Sequence, residues 1–403
     1  MSIRAQVCAW TVAFVVSAPA WVLAQDRSAR DVVEQIIREG PQARAIREEV
    51  EVRRREQLAR LAYPNPAVHY SREGAGFTEF LQVEQSLPLF GTRSLLTRAG
   101  VEATAAAEAD RDSRLWILRA DAQTMVARLV AEQNRHAAAD QYVKEVERLI
   151  GVLRTREREG EGSKFDRLRA EQELQEARQS VTAAAIAVSD ARSRVLAMSP
   201  PETGLSRVTP DPPPTAITLE PAAITAQART SRAELRALDR ARARTDLEGT
   251  AARKARLPSP ILFGGVKRAG DGPERGTGGI VGLSLSLPLF DNGSRESARW
   301  SAEAVRIDAE RAALEAAIRA EVSHSLEALV LREAAAAQAG QADDSELLRI
   351  AEVSYREGEV GILELLDAVR TTARAKARNI DIQLEVRLAQ IALERAVGGV
   401  LWR

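Results

Sequence analysis

Ser86-Leu87-Pro88-Leu89-Phe90 recurs unchanged as Ser286-Leu287-Pro288-Leu289-Phe290, at an offset of 200. A second pair of anchors follows each copy. Glu159-Gly160-Glu161 precedes Leu168-Arg169-Ala170, and Glu357-Gly358-Glu359 precedes Leu366-Asp367-Ala368, at an offset of 198. Two independent anchors at nearly one offset imply a duplicated unit. The reading divides the chain into a leader over 1–24, a first repeat over 25–200, a Pro-rich linker over 201–220 and a second repeat over 221–403.

Each repeat reads alike. A charged amphipathic helix comes first, Ala29 to Leu61 or Pro221 to Leu257, with Pro41 kinking or splitting the first. Two strand-like runs follow: Ala67 to Arg72 and Phe77 to Leu87 in one half, Ile261 to Lys267 and Gly279 to Leu287 in the other. Next is a very long helical run, Thr92 to about Glu159 or Ser294 to about Glu357, then a shorter helix, Phe165 to Met198 or Ile362 to Val397. At about 1.5 Å per residue the long run extends roughly 100 Å, which no compact core accommodates. Two shorter helices stacked end to end beside one long helix match that length.

Composition agrees. The 403 residues carry 57 basic and 57 acidic side chains, so a nucleic-acid partner, which asks for a basic excess, is disfavoured. Aromatics make up only 4% and charged residues 28%, the profile of long helices rich in Ala, Leu, Glu and Arg. The single cysteine, Cys8, falls inside the leader, whose Arg4, apolar Val7 to Leu23 and small exit at Ala24 predict secretion and cleavage rather than a membrane anchor. The mature chain then has no disulfide and no run of about 20 apolar residues.

The strands alternate with period two. In Val281-Gly282-Leu283-Ser284-Leu285-Ser286-Leu287 apolar positions alternate with small or polar ones, and Leu81-Gln82-Val83-Glu84-Gln85-Ser86-Leu87 nearly keeps the pattern. A soluble hairpin would lay the apolar face on a core. A transmembrane barrel would turn Leu81, Val83, Leu87, Val281, Leu283, Leu285 and Leu287 to lipid and the other face to a wet lumen. Phe77, Phe80, Phe90, Phe263 and Phe290 cluster in these segments and fit interfacial belts. Four strands cannot close in lipid, so spanning strands must be pooled between protomers, twelve from three copies.

With these features in place, the sequence resembles the TolC-like outer membrane factors, also called outer membrane efflux proteins. The marks are the duplicated Ser-Leu-Pro-Leu-Phe ending ahead of a long helix, Asn65-Pro66 before the first strand, and Val360-Gly361-Ile362 followed by Asp367 at the family's hairpin-tip spacing. Ile362 stands where the family pattern has Leu, and Gly162-Ser163-Lys164-Phe165-Asp166 in the first half lacks the Val-Gly-Leu core. The resemblance implies a mainly α protein with a small β part: a long α-helical barrel or tunnel, and four strands per protomer in a trimeric twelve-stranded outer-membrane β-barrel. It implies a homotrimer that meets a periplasmic adaptor and an inner-membrane pump and exports substrate. Length, short C-terminus and Arg-rich helices look similar to the CzcC-like cation-efflux branch.

The resemblance also assigns roles. Glu364 and Asp367 would form the periplasmic gate, threefold symmetry making each a ring of carboxylates. Acids near a helix start also simply suit the macrodipole. Gly160, Gly162, Ser163 and Phe165, with Gly358, Val360, Gly361 and Ile362, would dock the adaptor; as a local reading, the glycines end helices and the apolar residues pack. No catalytic constellation is visible, and no cofactor is called for. His69, His136 and His324 lack partners at metal-ligand spacing. Gly276-Thr277-Gly278-Gly279 precedes a strand and so is a loop, not a phosphate cradle. The alternative from another class is a periplasmic coiled-coil adaptor or scaffold with no channel.

Overall fold

The computed structural model describes residues 25–74, 77–212, 220–254, 256–270, 276–339 and 344–402. The leader over 1–24, residues 75–76 and 271–275 of the hairpin connections and residues 213–219 of the Pro-rich stretch lie outside them.

The first repeat begins with β1 (Gln25–Ser28), α1 (Ala29–Glu39) and α2 (Pro41–Arg60). Ser28 caps α1 by accepting from the Asp31 amide at 3.1 Å. Pro41 sits at the first turn of α2 and Gly40 separates the two helices. A Cβ on Gly40 would lie 2.4 Å from the Ile36 carbonyl oxygen and 2.7 Å from that of Met198, so the break is also where another chain segment crosses closely. The strands β2 (Ala67–Glu73) and β3 (Phe77–Ser86) follow, then α3 (Thr92–Glu159) and α4 (Lys164–Met198). Helix α3 runs 68 residues between left-handed glycines, Gly91 at φ 73° and Gly160 at φ 80°.

The second repeat contains α5 (Pro221–Ser231), α6 (Ala233–Lys254), β5 (Ser259–Gly270), β6 (Gly276–Ser286), α7 (Ser294–Ala339), α8 (Asp344–Glu357) and α9 (Ile362–Val397). Two differences from the sequence reading have physical causes or places. The expected helix Pro221 to Leu257 is broken at Arg232, where neither Gly nor Pro stands. The Arg232 guanidinium donates to the carbonyls of Arg395 and Ala396 at 3.2 and 3.0 Å, so it caps the C-terminal end of α9. The second long run is described as α7 and α8, with residues 340–343 outside the described residues.

The stretch 201–220 is more than a linker. It holds β4 (Leu205–Thr209), which pairs in parallel with β1, Arg27 opposite Val208 and Ser28 opposite Thr209. Leu205 and Val208 are buried with Val32, Val33, Ile36, Leu129 and Val195. This pairing ties the start of the first repeat to the connection between repeats.

Apolar clusters string along the helices instead of meeting in one centre. One joins α5, α6, α7 and α9 around Leu235, Ile318, Leu329 and Leu393. Another joins α3, α4 and α9 around Val146, Ile150, Leu174 and Leu365. Burying each such side chain contributes about 1.5–3 kcal/mol, so the length is held together locally, turn by turn.

The strands of both repeats form one antiparallel sheet in the order β2-β3-β5-β6. The junction between repeats is β3 with β5, from Phe77 opposite Gly270 to Ser86 opposite Ile261. Gly265 permits that approach, since a Cβ there would lie 2.1 Å from the Leu81 carbonyl oxygen. Within the protomer, β2 and β6 are the two edges.

Candidate functional site: a two-faced sheet and paired helical tips

Register decides which side chains share a face of the sheet. One face carries the row Val68, Val83, Gly264, Val281 and beside it Tyr70, Leu81, Val266, Gly279. Gln85, Leu262 and Leu283 form the next row, and Leu285 stands opposite Pro260. Val281 is 81% exposed, and Val68, Leu81, Val83, Leu283 and Leu285 are all exposed. A row of Arg72, Glu79, Arg268 and Thr277 ends this band toward the hairpin turns. The opposite face carries His69, Gln82, Ser71, Lys267, Glu84 and Ser284. His69 Nε2 lies 3.3 Å from a Glu84 carboxylate oxygen on that face.

Two of the five phenylalanines fall on the polar face, against the belt reading. Phe80 is opposite Ser71 and Lys267, and Phe263 is opposite Glu84 and Gly282. Lys267 sits 5.1 Å from the Phe80 ring centroid. Phe263 lies over Gly282, where a Cβ would come within 2.2 Å of its ring. Both rings pack across a neighbouring strand, so cross-strand fit, not an interface, sets their place. Phe90 and Phe290 stand past the strand ends, and Phe290 is 99% exposed.

The repeated pentapeptide makes the same bend twice. Leu89 N–H donates to the Leu87 carbonyl at 2.8 Å, and Leu289 N–H to Leu287 at 2.9 Å. Each bond spans one proline, Pro88 or Pro288, whose fixed φ suits the centre of so tight a turn. Exposed Leu89, Leu287 and Leu289 thereby flank the sheet at the end nearer the helices.

At the far end the two helical hairpins turn alike. Gly160 (φ 80°) and Gly358 (φ 81°) are both left-handed C-caps. The Glu161 and Gly162 amides donate to the Arg156 carbonyl at 2.9 and 3.0 Å, and the Glu359 amide to Ser354 at 2.9 Å. Gly162 is a packing requirement, since a Cβ would lie 2.8 Å from the Glu157 amide nitrogen. Ser163 caps α4, accepting from the Phe165 amide at 3.1 Å. Gly361 occupies the cap position of α9.

The apolar docking candidates divide. Phe165 is 64% exposed, whereas Ile362 is 4% exposed and packed among Val146, Ile150, Leu174 and Leu366. Val360 is half-buried. Ile362 is therefore a core residue of the tip within the protomer, so its side chain packs locally instead of standing open for docking. Leu168 and Leu363, which the sequence reading did not include among the docking residues, are exposed, Leu168 about one turn after Phe165 and Leu363 directly after Ile362. Helical phase was the available signal: Ile362, Leu365, Leu366 and Val369 share one face, and Leu363 falls off it.

Glu364 and Asp367 are both exposed on α9. The Glu364 carboxylate folds back toward Gly361, within 3.0 Å of where a Cβ would sit, as a third-position acid does at a helix start. Asp367 makes no such local contact among the described residues, which leaves it free to act elsewhere.

Polar contacts bind the two hairpins together. Tyr355 Oη donates to Asp166 at 3.2 Å while Arg156 stacks 5.4 Å from its ring centroid. Burial pushes the Tyr355 phenol up, and the nearby Asp166 charge adds to it. Deeper in, Glu173 is 5% exposed and accepts from both Arg370 and Tyr142. Burial alone would raise the Glu173 carboxyl, but the Arg370 and Tyr142 hydrogen bonds outweigh it and hold it below the usual carboxylate range. Among the described residues no group of three or more His, Cys, Asp and Glu could hold a metal, and no helix is long and apolar enough to cross a membrane. The second statement does not bear on strands.

Comparison with known proteins places this geometry. Residues 224–399 match the sequence model of the family described as outer membrane efflux protein. No curated protein matches the chain. Among solved structures, the chain is similar to the outer-membrane channel OprN, with TM-score 0.72 and 22% identity over 92% of this chain and 90% of that one. It is similar to the outer membrane protein VceC of Vibrio cholerae, with TM-score 0.69 and 15% identity over 92% and 96%. It is also similar to the CmeC outer membrane channel of Campylobacter jejuni, with TM-score 0.70 and 13% identity over 99% and 94%. The second repeat thus matches the efflux family by sequence, and the whole chain shares the fold of outer-membrane channels.

Proposed function

We propose that this protein is the outer-membrane exit duct of a tripartite efflux system, a conduit and not an enzyme. The carrying observation is the sheet with an exposed apolar face and two unpaired edges. Both defects vanish together if three protomers pool their strands into a closed twelve-stranded barrel facing lipid. The 1–24 leader directs the chain across the inner membrane and is removed. The long helices of the three copies then form a tunnel in the periplasm. The tips, through Phe165, Val360 and the exposed leucines Leu168 and Leu363, meet the hairpin of a periplasmic adaptor joined to an inner-membrane pump. The Gly160, Gly162, Ser163, Gly358 and Gly361 turns shape that surface, and Ile362 supports it from within. Asp367 lines the gate, with Glu364 beside it holding the start of α9.

The narrower CzcC-like placement rests on length and Arg-rich helices, and the duct reading needs no metal site. Loss of the gene from a host that carries it should sensitise cells to a divalent metal if that branch is right, and leave metal tolerance unchanged if it is not. The decisive test of the duct is fractionation of the expressed chain followed by mass determination in detergent. A trimer in the outer-membrane fraction supports the duct. A monomer released without detergent overturns it in favour of a periplasmic scaffold.

A further inference from the structure

Helix α9 carries a charge pattern along one face that the gate reading does not use. Arg374 and Arg378 follow Asp367 by seven and eleven residues, close to two and three whole turns, so each lies within about 20° of Asp367 around the axis, on either side of it. They are separated from Asp367 along the axis by roughly 10 and 16 Å. Both arginines are exposed, and neither makes an ion pair among the described residues. Farther along the same face the charges are cancelled. Arg135 of α3 donates to Asp381 at 3.0 Å, and Arg332 of α7 donates to Glu385 at 3.1 Å. The face therefore runs from a free acid, through two free guanidiniums, to neutralised pairs.

We propose that Arg374 and Arg378 form a basic belt inside the bore, which binds anionic groups and opposes the cation preference of the acidic ring at the tip. The inference rests on the duct reading, in which the Asp367 face of α9 looks into the tunnel. Two guanidiniums per protomer become six around a threefold axis. Guanidinium matches carboxylate and phosphate with paired donors, so the ligand class is solutes bearing those groups. Spacing decides whether the belt acts separately. Screening at physiological salt acts over about 8 Å, less than the distance to Asp367, so the ring and the belt do not cancel each other. An entering solute meets a cation-favouring step and then an anion-favouring one. A bare metal cation would meet the belt as a barrier, which also bears on the cation-efflux placement.

The test uses the full mature chain in planar bilayers under a potassium chloride gradient, with inorganic pyrophosphate as the blocking probe. Wild-type channels are compared with the Arg374→Gln/Arg378→Gln double variant and with the charge-keeping Arg374→Lys/Arg378→Lys variant. The Gln pair should raise the potassium-to-chloride permeability ratio at least twofold and weaken pyrophosphate block at least tenfold. The Lys pair should keep the wild-type ratio, which separates charge from folding. Channels of the Gln pair with wild-type ratio and block would overturn the belt while leaving the duct intact. A wild-type chain that forms no channels would overturn the duct reading, and the belt with it.

Discussion

At the scale of single residues, buried charge and missing side chains set the strongest constraints. Glu173 is enclosed and serves two donors, Arg370 from α9 and Tyr142 from α3. Replacing it with Ala leaves both donors without their acceptor, and unfolding in detergent should show a loss of about 1–3 kcal/mol. The pH dependence follows from the sign of its shift. Its folded carboxyl lies below the ordinary value, so its contribution is complete above the unfolded pKa of about 4.3 and fades as pH falls through the folded one. Glu173→Gln should therefore flatten the acid limb of a stability profile below about pH 4 relative to wild type, and an unchanged limb would deny Glu173 that part. Gly265 makes a sharper case. A methyl there overlaps the Leu81 carbonyl at 2.1 Å, so Gly265→Ala should part β3 from β5 and lower the yield of heat-resistant oligomer. By contrast, Gly278→Ala, whose Cβ would meet nothing within 4 Å, should leave that yield unchanged.

At the scale of elements, sequence legibility follows the range of the interactions that set each boundary. Helix α3 was readable to its ends because Gly91 and Gly160 punctuate it locally. The α5–α6 break was not readable, because Arg232 leaves the helix to cap α9, far away in sequence. Strand β4 was hidden for the same reason: its partner β1 lies some 180 residues earlier, and its own run is only five residues. The misplacement of Phe80 was avoidable, since it stands one position off the Leu81 and Val83 face and period two sends it across the sheet. That same parity gives a prediction. Val281→Arg puts a charge in the middle of the apolar band and should disfavour membrane insertion by about 2–4 kcal/mol, read as lost outer-membrane oligomer. Ser284→Arg on the opposite face should be tolerated. At the tips, burial separates two neighbours in the same way. Ile362→Ala should destabilise the tip by about 2–4 kcal/mol. Leu363→Ser should leave stability unchanged and, under the duct reading, reduce cross-linking to an adaptor. Equal effects on both readouts would remove the distinction between core and docking residues.

At the scale of the whole molecule, the question is what the open edges of the sheet meet. Edge strands β2 and β6 present unpaired backbone groups beside an apolar face, a combination that invites unlimited pairing unless the assembly closes. Closed cyclic symmetry ends the pairing after a fixed number of copies, whereas an open contact repeats without limit. The sole cysteine is Cys8, inside the leader, so a chain processed as proposed offers a background free of native thiols. Placing one cysteine on β2, as Ser71→Cys, and one on β6, at Gly278, Ile280 or Gly282 in separate double variants, lets the register be scanned. Adjacent strands bring facing Cα atoms to about 4.5–5.5 Å, within the range a disulfide bridges. At the right register, oxidation should give dimer, then trimer, and stop, because the third bond closes the ring. A ladder continuing past trimer would mean that the edges pair without closing, and absence of any crosslink across the scan would mean that β2 and β6 never meet. Only the terminating ladder is compatible with an apolar sheet face held in lipid, since every other outcome leaves a free edge in hydrocarbon.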